Sequence, residues 1–291
     1  MTTGCFYSPL RYPGGKGKLA EYVKAVIREN GLADGDYVEP YAGGAAVAME
    51  LLLHDYVSRV HINDLNSSIH AFWHSVLNET DALCALIEQT AVNMDEWYQQ
   101  KAIQSHADRH SLLELGFSTF FLNRCNRSGI IKGGIIGGKG QTGKWKLDAR
   151  YNKVDLIRRI ANIARHRRRI SLYNLDAADL VIKVLPNLPA KTLIYLDPPY
   201  YVKGEGLYDS FYSHDDHVLI SKLVASKITK QRWIVSYDDA AQIAEMYAAY
   251  RSMTYRLSYS AQERVKGAEI IFFSDNLVIP RVPDSCPMHA A

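Results

Sequence analysis

Cysteine is scarce in this 291-residue chain, and the four present, Cys5, Cys84, Cys125 and Cys286, never stand at CxxC spacing. Scattered thiols without histidines at ligand spacing argue against structural zinc and for reduced thiols in a cytosolic compartment. The ten histidines form no HExxH or similar group, so no metal is expected. No apolar run approaches the ~18 residues needed to span a bilayer, and the amino-terminal stretch lacks the apolar segment of a secretion signal. GxxxxGK[ST] does not occur, the glycine turn at residues 39–44 is not GxGxxG, and there is no internal repeat or low-complexity segment. These absences predict a cytoplasmic protein without membrane contact; a monomer or weak dimer is the default expectation.

What is present is a hydrophobic content of 47% and a charged content of 22%, ordinary for a globular chain that can bury a full core without staples. The length exceeds one typical domain, so one large domain or a core with a sizeable insertion is expected. The formal net charge of +3 hides an asymmetry, because residues 139–169 hold eleven Lys and Arg against Asp148 and Asp155. That segment carries +9, leaving −6 for the remainder. A basic segment on an acidic body is the footprint of a polyanion-binding face, although a dense basic run can also be a solvated helix face.

Hydrophobic periodicity gives an α/β rhythm. A helix is expected over Leu19 to Glu29, a strand over Tyr37 to Pro40, a helix over Ala45 to Leu53, and a strand over Val57 to Ile62. After a helix near Ser67 to Leu77, residues 81–121 read as two or three amphipathic helices without a strand. Asn123 to Gly143 is rich in Gly, Asn, Arg and Lys and reads as a hairpin or clamp-like loop. The rhythm resumes at Ile170 to Tyr173, continues through the apolar strand Leu193 to Leu196 and the strand Trp233 to Ser236, and closes with strands Tyr255 to Tyr259 and Ile270 to Phe273. The expected architecture is a doubly wound, mostly parallel sheet with ligands at the carboxyl ends of its strands. Residues 1–69 and 169–280 would form this core, residues 70–168 an inserted, mainly helical domain, and residues 281–291 a loose tail.

Four loops fall where such a sheet places a ligand crevice, together with one unusual strand end. Asp197-Pro198-Pro199-Tyr200 follows the run Leu193-Ile194-Tyr195-Leu196. Two prolines make a rigid, extended turn that adds no N–H donors. It offers a carboxylate, two carbonyls and a flat ring, which suits a planar amine-bearing ring, although a packed proline turn would look similar. Arg11-Tyr12-Pro13-Gly14-Gly15-Lys16 allows close backbone approach and brings a cation. Glu39-Pro40-Tyr41-Ala42-Gly43-Gly44 joins a strand to a helix start, a site for a cofactor's polar end. Asp64 ends the next strand where a nucleoside-binding fold places an acid for ribose hydroxyls. Asp176 follows a later strand, and both acids could equally be helix caps.

In this order, the GGK loop, the EPxxGG turn, Asn63-Asp64-Leu65-Asn66, the basic insertion and DPPY resemble the Dam-like, D12-type DNA methyltransferases that modify adenine at N6. The resemblance spans nearly all of residues 8–280. It implies the sheet of an S-adenosylmethionine-dependent methyltransferase, with the insertion as a DNA-recognition domain. Tyr12, Lys16, Glu39, Tyr41, Gly43, Gly44, Asp64, Asp176 and Asp197 would then contact S-adenosylmethionine. Asp197, Pro198, Pro199 and Tyr200 would hold an adenine flipped out of double-stranded DNA. Ala45 stands where the family commonly has a second turn glycine and requires a helix-compatible backbone. Arg124, Asn126, Arg127, Lys132, Lys139, Lys144, Arg150 and Asn152 are the candidate DNA contacts, since Arg and Asn read base edges and Lys holds phosphates. Two other readings stay open: an amino-group methyltransferase acting on RNA or protein, and a catalytically silent DNA-binding relative.

Overall fold

The computed structural model describes residues 7–11, 16–202, 212–257 and 268–290. The chain divides into two compact units, one of Met1–Gly15 with Asn66–Asn174, the other of Lys16–Leu65 with Leu175–Ala291. The second, the sheet unit, begins with α1 (Ala20–Glu29), β1 (Asp36–Glu39), α2 (Ala46–Leu53) and β2 (Arg59–Asn63). The helical unit follows with α3 (Ser67–Asn78), α4 (Thr80–Gln89), α5 (Met94–Ser105), α6 (Leu112–Cys125), α7 (Lys153–Arg165) and the short β3 (Ile170–Tyr173). The chain then re-enters the sheet unit for α8 (Ala177–Lys183), β4 (Thr192–Leu196), α9 (His214–Lys227), β5 (Arg232–Asp238) and α10 (Ala241–Met246). It closes with β6 (Arg251–Leu257), β7 (Glu269–Phe273) and β8 (Met288–Ala290).

Within the sheet unit seven strands lie in the order β2-β1-β4-β5-β7-β6-β8. The first four are parallel, and each later pairing is antiparallel. Five of the seven strands, β2, β1, β4, β5 and β6, therefore point the same way, a mixed and mostly parallel α/β sheet. Every residue of β4 is buried, as expected of a strand flanked by parallel neighbours and covered on both faces. One difference lies at the carboxyl end, where the sequence shows no strand pattern. There Met288 pairs with Leu257, and Cys286 is buried with its thiol near the Lys18 carbonyl. The strand exists because β6 offers an unpaired edge, which is a non-local cause.

Strand register places the chemistry. Glu39 lies beside Ile62 and Leu196 beside Val235, so β1, β2, β4 and β5 end at one edge. Because β7 runs the other way, its first residue, Glu269, pairs with Asp238 at that same edge.

In the helical unit, α3 packs along α6 through a close approach at Gly116. A Cβ there would lie 2.5 Å from Ser75 Oγ and 2.6 Å from the Ala71 carbonyl. Phe72 and Phe120 stack at 6.1 Å, and Tyr151 meets Phe120 and Phe121 edge-on. Three helices, α4, α5 and α6, fill the stretch read as two or three. Of the hairpin or clamp-like loop expected over Asn123 to Gly143, the structure shows a loop with a single antiparallel bridge, Asn126 to Ile135, rather than a ladder. Its glycines favour turns over pairing.

Candidate active site

Asp197 leaves β4 level with Ser236 of β5, whose hydroxyl donates to Asp197 Oδ1 at 2.7 Å. Ser236 is itself held by the Tyr195 hydroxyl at 2.9 Å. On the other side Lys16 Nζ stands 3.4 Å from Asp197 Oδ1. The same ammonium donates to Glu269 Oε2 at 2.9 Å and to the Tyr200 hydroxyl. Glu269 also accepts from Tyr200 at 2.8 Å and from Tyr255 at 2.5 Å. The first and last groups of the DPPY turn are thus tied to one buried lysine, whose side chain is 4% exposed.

Burial pushes the Asp197 carboxyl above its usual range, against the pull of Lys16 and Ser236. Burial alone would lower the Lys16 ammonium, but Asp197 and Glu269 outweigh it and hold the charge firmly on. Glu269 is pushed up by burial and pulled further down by Lys16 and Tyr255, ending below its ordinary value. With both acids ionised, the triad of Lys16, Asp197 and Glu269 carries a net charge of −1.

The turn after β1 is built around Glu39 and Asn63. Glu39 is buried, accepts from the Ala48 N–H at 2.9 Å and from the Tyr37 hydroxyl at 3.2 Å, and so caps α2 from a distance. That cap is needed because Ala45 supplies no side-chain cap. Ala45 is not helix-compatible as the sequence suggested: its φ of 45° is left-handed, a conformation glycine adopts with less strain. Burial pushes the Glu39 carboxyl up to about 8. Asn63 donates to the carbonyls of Pro40 and Leu175 and accepts from the Leu175 N–H, joining the ends of β1 and β2 to the start of α8. Asp64 Oδ2 accepts from the Gly43 N–H at 2.9 Å. Asp176 caps α8 through the Ala178 N–H and stays exposed.

Gly43 and Gly44 are buried, and Tyr41 hydrogen-bonds Tyr212 at 3.1 Å. Carboxylates at the ends of β2 and before α8, with a small glycine turn between them, suit a ligand with hydroxyls, an amine and a positive charge. Tyr12, with Pro13 to Gly15, lies outside the described residues. Lys16 engages two acids and Tyr200.

In the helical unit, Arg127, Lys132, Lys139, Lys144, Arg150 and Asn152 are exposed. Asn152 also caps α7 through the Asp155 N–H. Arg124 is half-buried, donates to the Arg150 carbonyl, and is brought down to about 10 by burial and by the charges of Arg11 and Arg159. Asn126 has a different place from the one expected: it is fully buried. Its amide accepts from Trp97 Nε1 and donates to the carbonyls of Ile130 and Ile131, bracing the loop. Arg158 and Arg159 each pair with Asp155 at 2.6 Å. Among the described residues no group of three metal-ligating side chains occurs, and no helix is long and apolar enough to cross a membrane.

Sequence reasoning passed over Glu269 and Tyr255. The available signal was an acid heading the apolar strand Glu269-Ile270-Ile271-Phe272-Phe273. An antiparallel closing strand brings its first residue to the carboxyl edge of the parallel ones.

No curated protein matches the chain. Among solved structures, an rRNA methyltransferase, aviRa, from Streptomyces viridochromogenes is similar at 12% identity and a TM-score of 0.40, covering 90% of this chain and 85% of that one. Protein LPL1258 from Legionella pneumophila is similar at 9% identity and a TM-score of 0.38, covering 93% and 88%. Such scores do not decide the fold, which the strand order defines directly. The match that decides the family covers residues 12–263, from the GGK loop through the DPPY turn and beyond. The chain belongs to the D12 class of N6 adenine-specific DNA methyltransferases.

Proposed function

We propose that Asp197, the Pro198 carbonyl and Tyr200 hold the target adenine, and that the helical unit grips and reads the surrounding DNA. The observation that carries this reading is the fixed Asp197 carboxylate at the end of a buried strand, held by Ser236 and Lys16. S-adenosylmethionine, when bound, supplies an electrophilic methyl group, and Glu39, Tyr41, Gly43, Gly44, Asp64 and Asp176 are the residues whose placement suits it.

An adenine N6 lone pair is delocalised into the ring and is a poor nucleophile. Asp197 accepting from one amino proton and the Pro198 carbonyl from the other would pull the nitrogen toward a pyramidal shape and free its lone pair. Positive charge grows on N6 as it is methylated, so groups already aimed there stabilise the transition state more than the ground state. Lys16 taken alone would oppose that charge. Glu269 neutralises it, and the triad's net −1 remains to favour the developing cation. Tyr200, its hydroxyl fixed by Lys16 and Glu269, offers its ring face to the base. A base in a duplex must be rotated out to reach such a turn, at a cost of a few kcal/mol.

For recognition, Arg127, Lys132, Lys139, Lys144, Arg150 and Asn152 are the exposed groups that reach DNA. The crowding of Arg11, Arg124 and Arg159 around a single acid, Asp155, favours an anionic partner. Asp197→Ala should abolish transfer of labelled methyl groups to DNA while circular dichroism stays native. Turnover at the wild-type rate would overturn the mechanism. Label appearing in RNA or protein instead of DNA would overturn the assigned substrate.

A further inference from the structure

Three of the four tryptophans, Trp73, Trp97 and Trp233, are at most 3% exposed, whereas Trp145 is 59% exposed. A single exposed apolar side chain is ordinary on a protein surface; what distinguishes this ring is the loop that holds it and the cations beside it. The loop beneath it is well organised. Gln141 Nε2 donates to the carbonyls of Ile136 and Gly138 at 2.8 and 2.7 Å, while its Oε1 accepts from the Leu147 N–H at 3.0 Å. Lys146 Nζ donates to the Gln141 carbonyl, and the Gly143 N–H donates to the Gly137 carbonyl. Gly137 has φ +84°, and a Cβ there would lie 2.7 Å from the Trp145 carbonyl. Position 137 therefore needs glycine for the backbone at Trp145 to sit where it does.

The surroundings carry one sign of charge. Lys144 Nζ lies 5.7 Å and Arg150 Cζ 5.9 Å from the Trp145 ring centre. Residues 132–153 contain six Lys and Arg and one acid, Asp148. An apolar protein partner or a second copy of the chain would be poorly served by that density of positive charge. A polyanion with flat apolar faces fits both features, because bases stack on aromatic rings while cations track the phosphates.

We propose that Trp145 stacks on a nucleobase of the bound DNA, with Lys144 and Arg150 on the flanking phosphates. This rests on the reading that the helical unit binds DNA, and it adds a contact that depends on shape rather than charge. The two can be separated by salt. A tryptophan carries no charge, so Trp145→Ala should weaken DNA binding about tenfold or more yet leave the slope of log affinity against log salt unchanged. Lys144→Ala should flatten that slope by about one. Trp145→Phe should keep most of the affinity.

The test is a titration of the full chain with a fluorescein-labelled duplex and with the corresponding single strand, read by anisotropy and by tryptophan emission. Since the other three tryptophans are buried, quenching that disappears in Trp145→Phe reports the stacked ring. DNA binding with unmoved Trp145 emission and an unimpaired Trp145→Ala variant overturns the stacking inference alone. Failure of the wild-type chain to bind either DNA overturns it together with the reading beneath it. Emission that shifts with anionic vesicles and not with DNA overturns it in favour of a membrane surface.

Discussion

Glu39 offers the most direct physical test, because its contribution to stability is lost as pH rises, the opposite of an acid stabilised in its charged form. The carboxyl is buried, and burial raises it from 4.5 to about 8. The folded chain therefore keeps a proton that the unfolded chain has released between those values. The unfolded state binds fewer protons in that window, so stability falls as pH rises. The contribution is fully present below about 4.5, is lost as pH climbs through about 8, and is flat above that. Integrating this difference between about pH 5.5 and 8.5 gives a loss of about 3 kcal/mol from this one group. Glu39→Gln removes the titration but keeps an oxygen to accept from the Ala48 N–H and the Tyr37 hydroxyl. Urea denaturation of both proteins at the two pH values is the assay, and the readout is the difference between them. The variant should gain about 3 kcal/mol relative to wild type on going to the higher pH. An equal change in both proteins would refute the argument that Glu39 is held protonated by burial.

Glu269→Gln takes the triad from a net charge of −1 to zero, and by the Coulomb energy of one charge near a developing cation it should lower kcat roughly ten- to hundredfold, with a smaller effect on KM. A single-turnover assay with labelled S-adenosylmethionine measures this, and an unchanged kcat would leave Glu269 a purely structural partner of Lys16. Gly116→Ala drives a methyl group into Ser75 and the Ala71 carbonyl where α3 crosses α6. It should destabilise the protein by about 1–3 kcal/mol, measured by thermal unfolding. An unchanged midpoint would mean the two helices can separate at little cost.

The sheet and the DPPY turn were legible because their signals are local. Leu193 to Leu196 is an unbroken apolar run, and Asp197-Pro198-Pro199 breaks it with chemistry that only a turn accepts. The glycine turn after β1 and the acids at Asp64 and Asp176 were likewise marked by residue type. The loop read over Asn123 to Gly143 was legible as a loop but not in its roles. Asn126 and Arg127 look alike as candidate DNA contacts, yet one is buried against Trp97 and the other is exposed. Side-chain direction decides that, and no spacing rule reveals it. The α7 charges show the same limit, since Asp155 already engages Arg158 and Arg159 and a count of charges treats them as free.

The deeper omission was Glu269. It lies 253 positions from Lys16, and only the reversal of β7 within the sheet brings the two together. This matters for chemistry as well as for packing. Read from the sequence, Lys16 is a free cation available to a cofactor carboxylate. Read with Glu269 in place, it is a neutralised strut that fixes Tyr200 and steadies Asp197, and the net charge of the cluster changes from zero to negative. Register decides the electrostatics of this site, and a long-range antiparallel pairing is what a single sequence expresses most weakly.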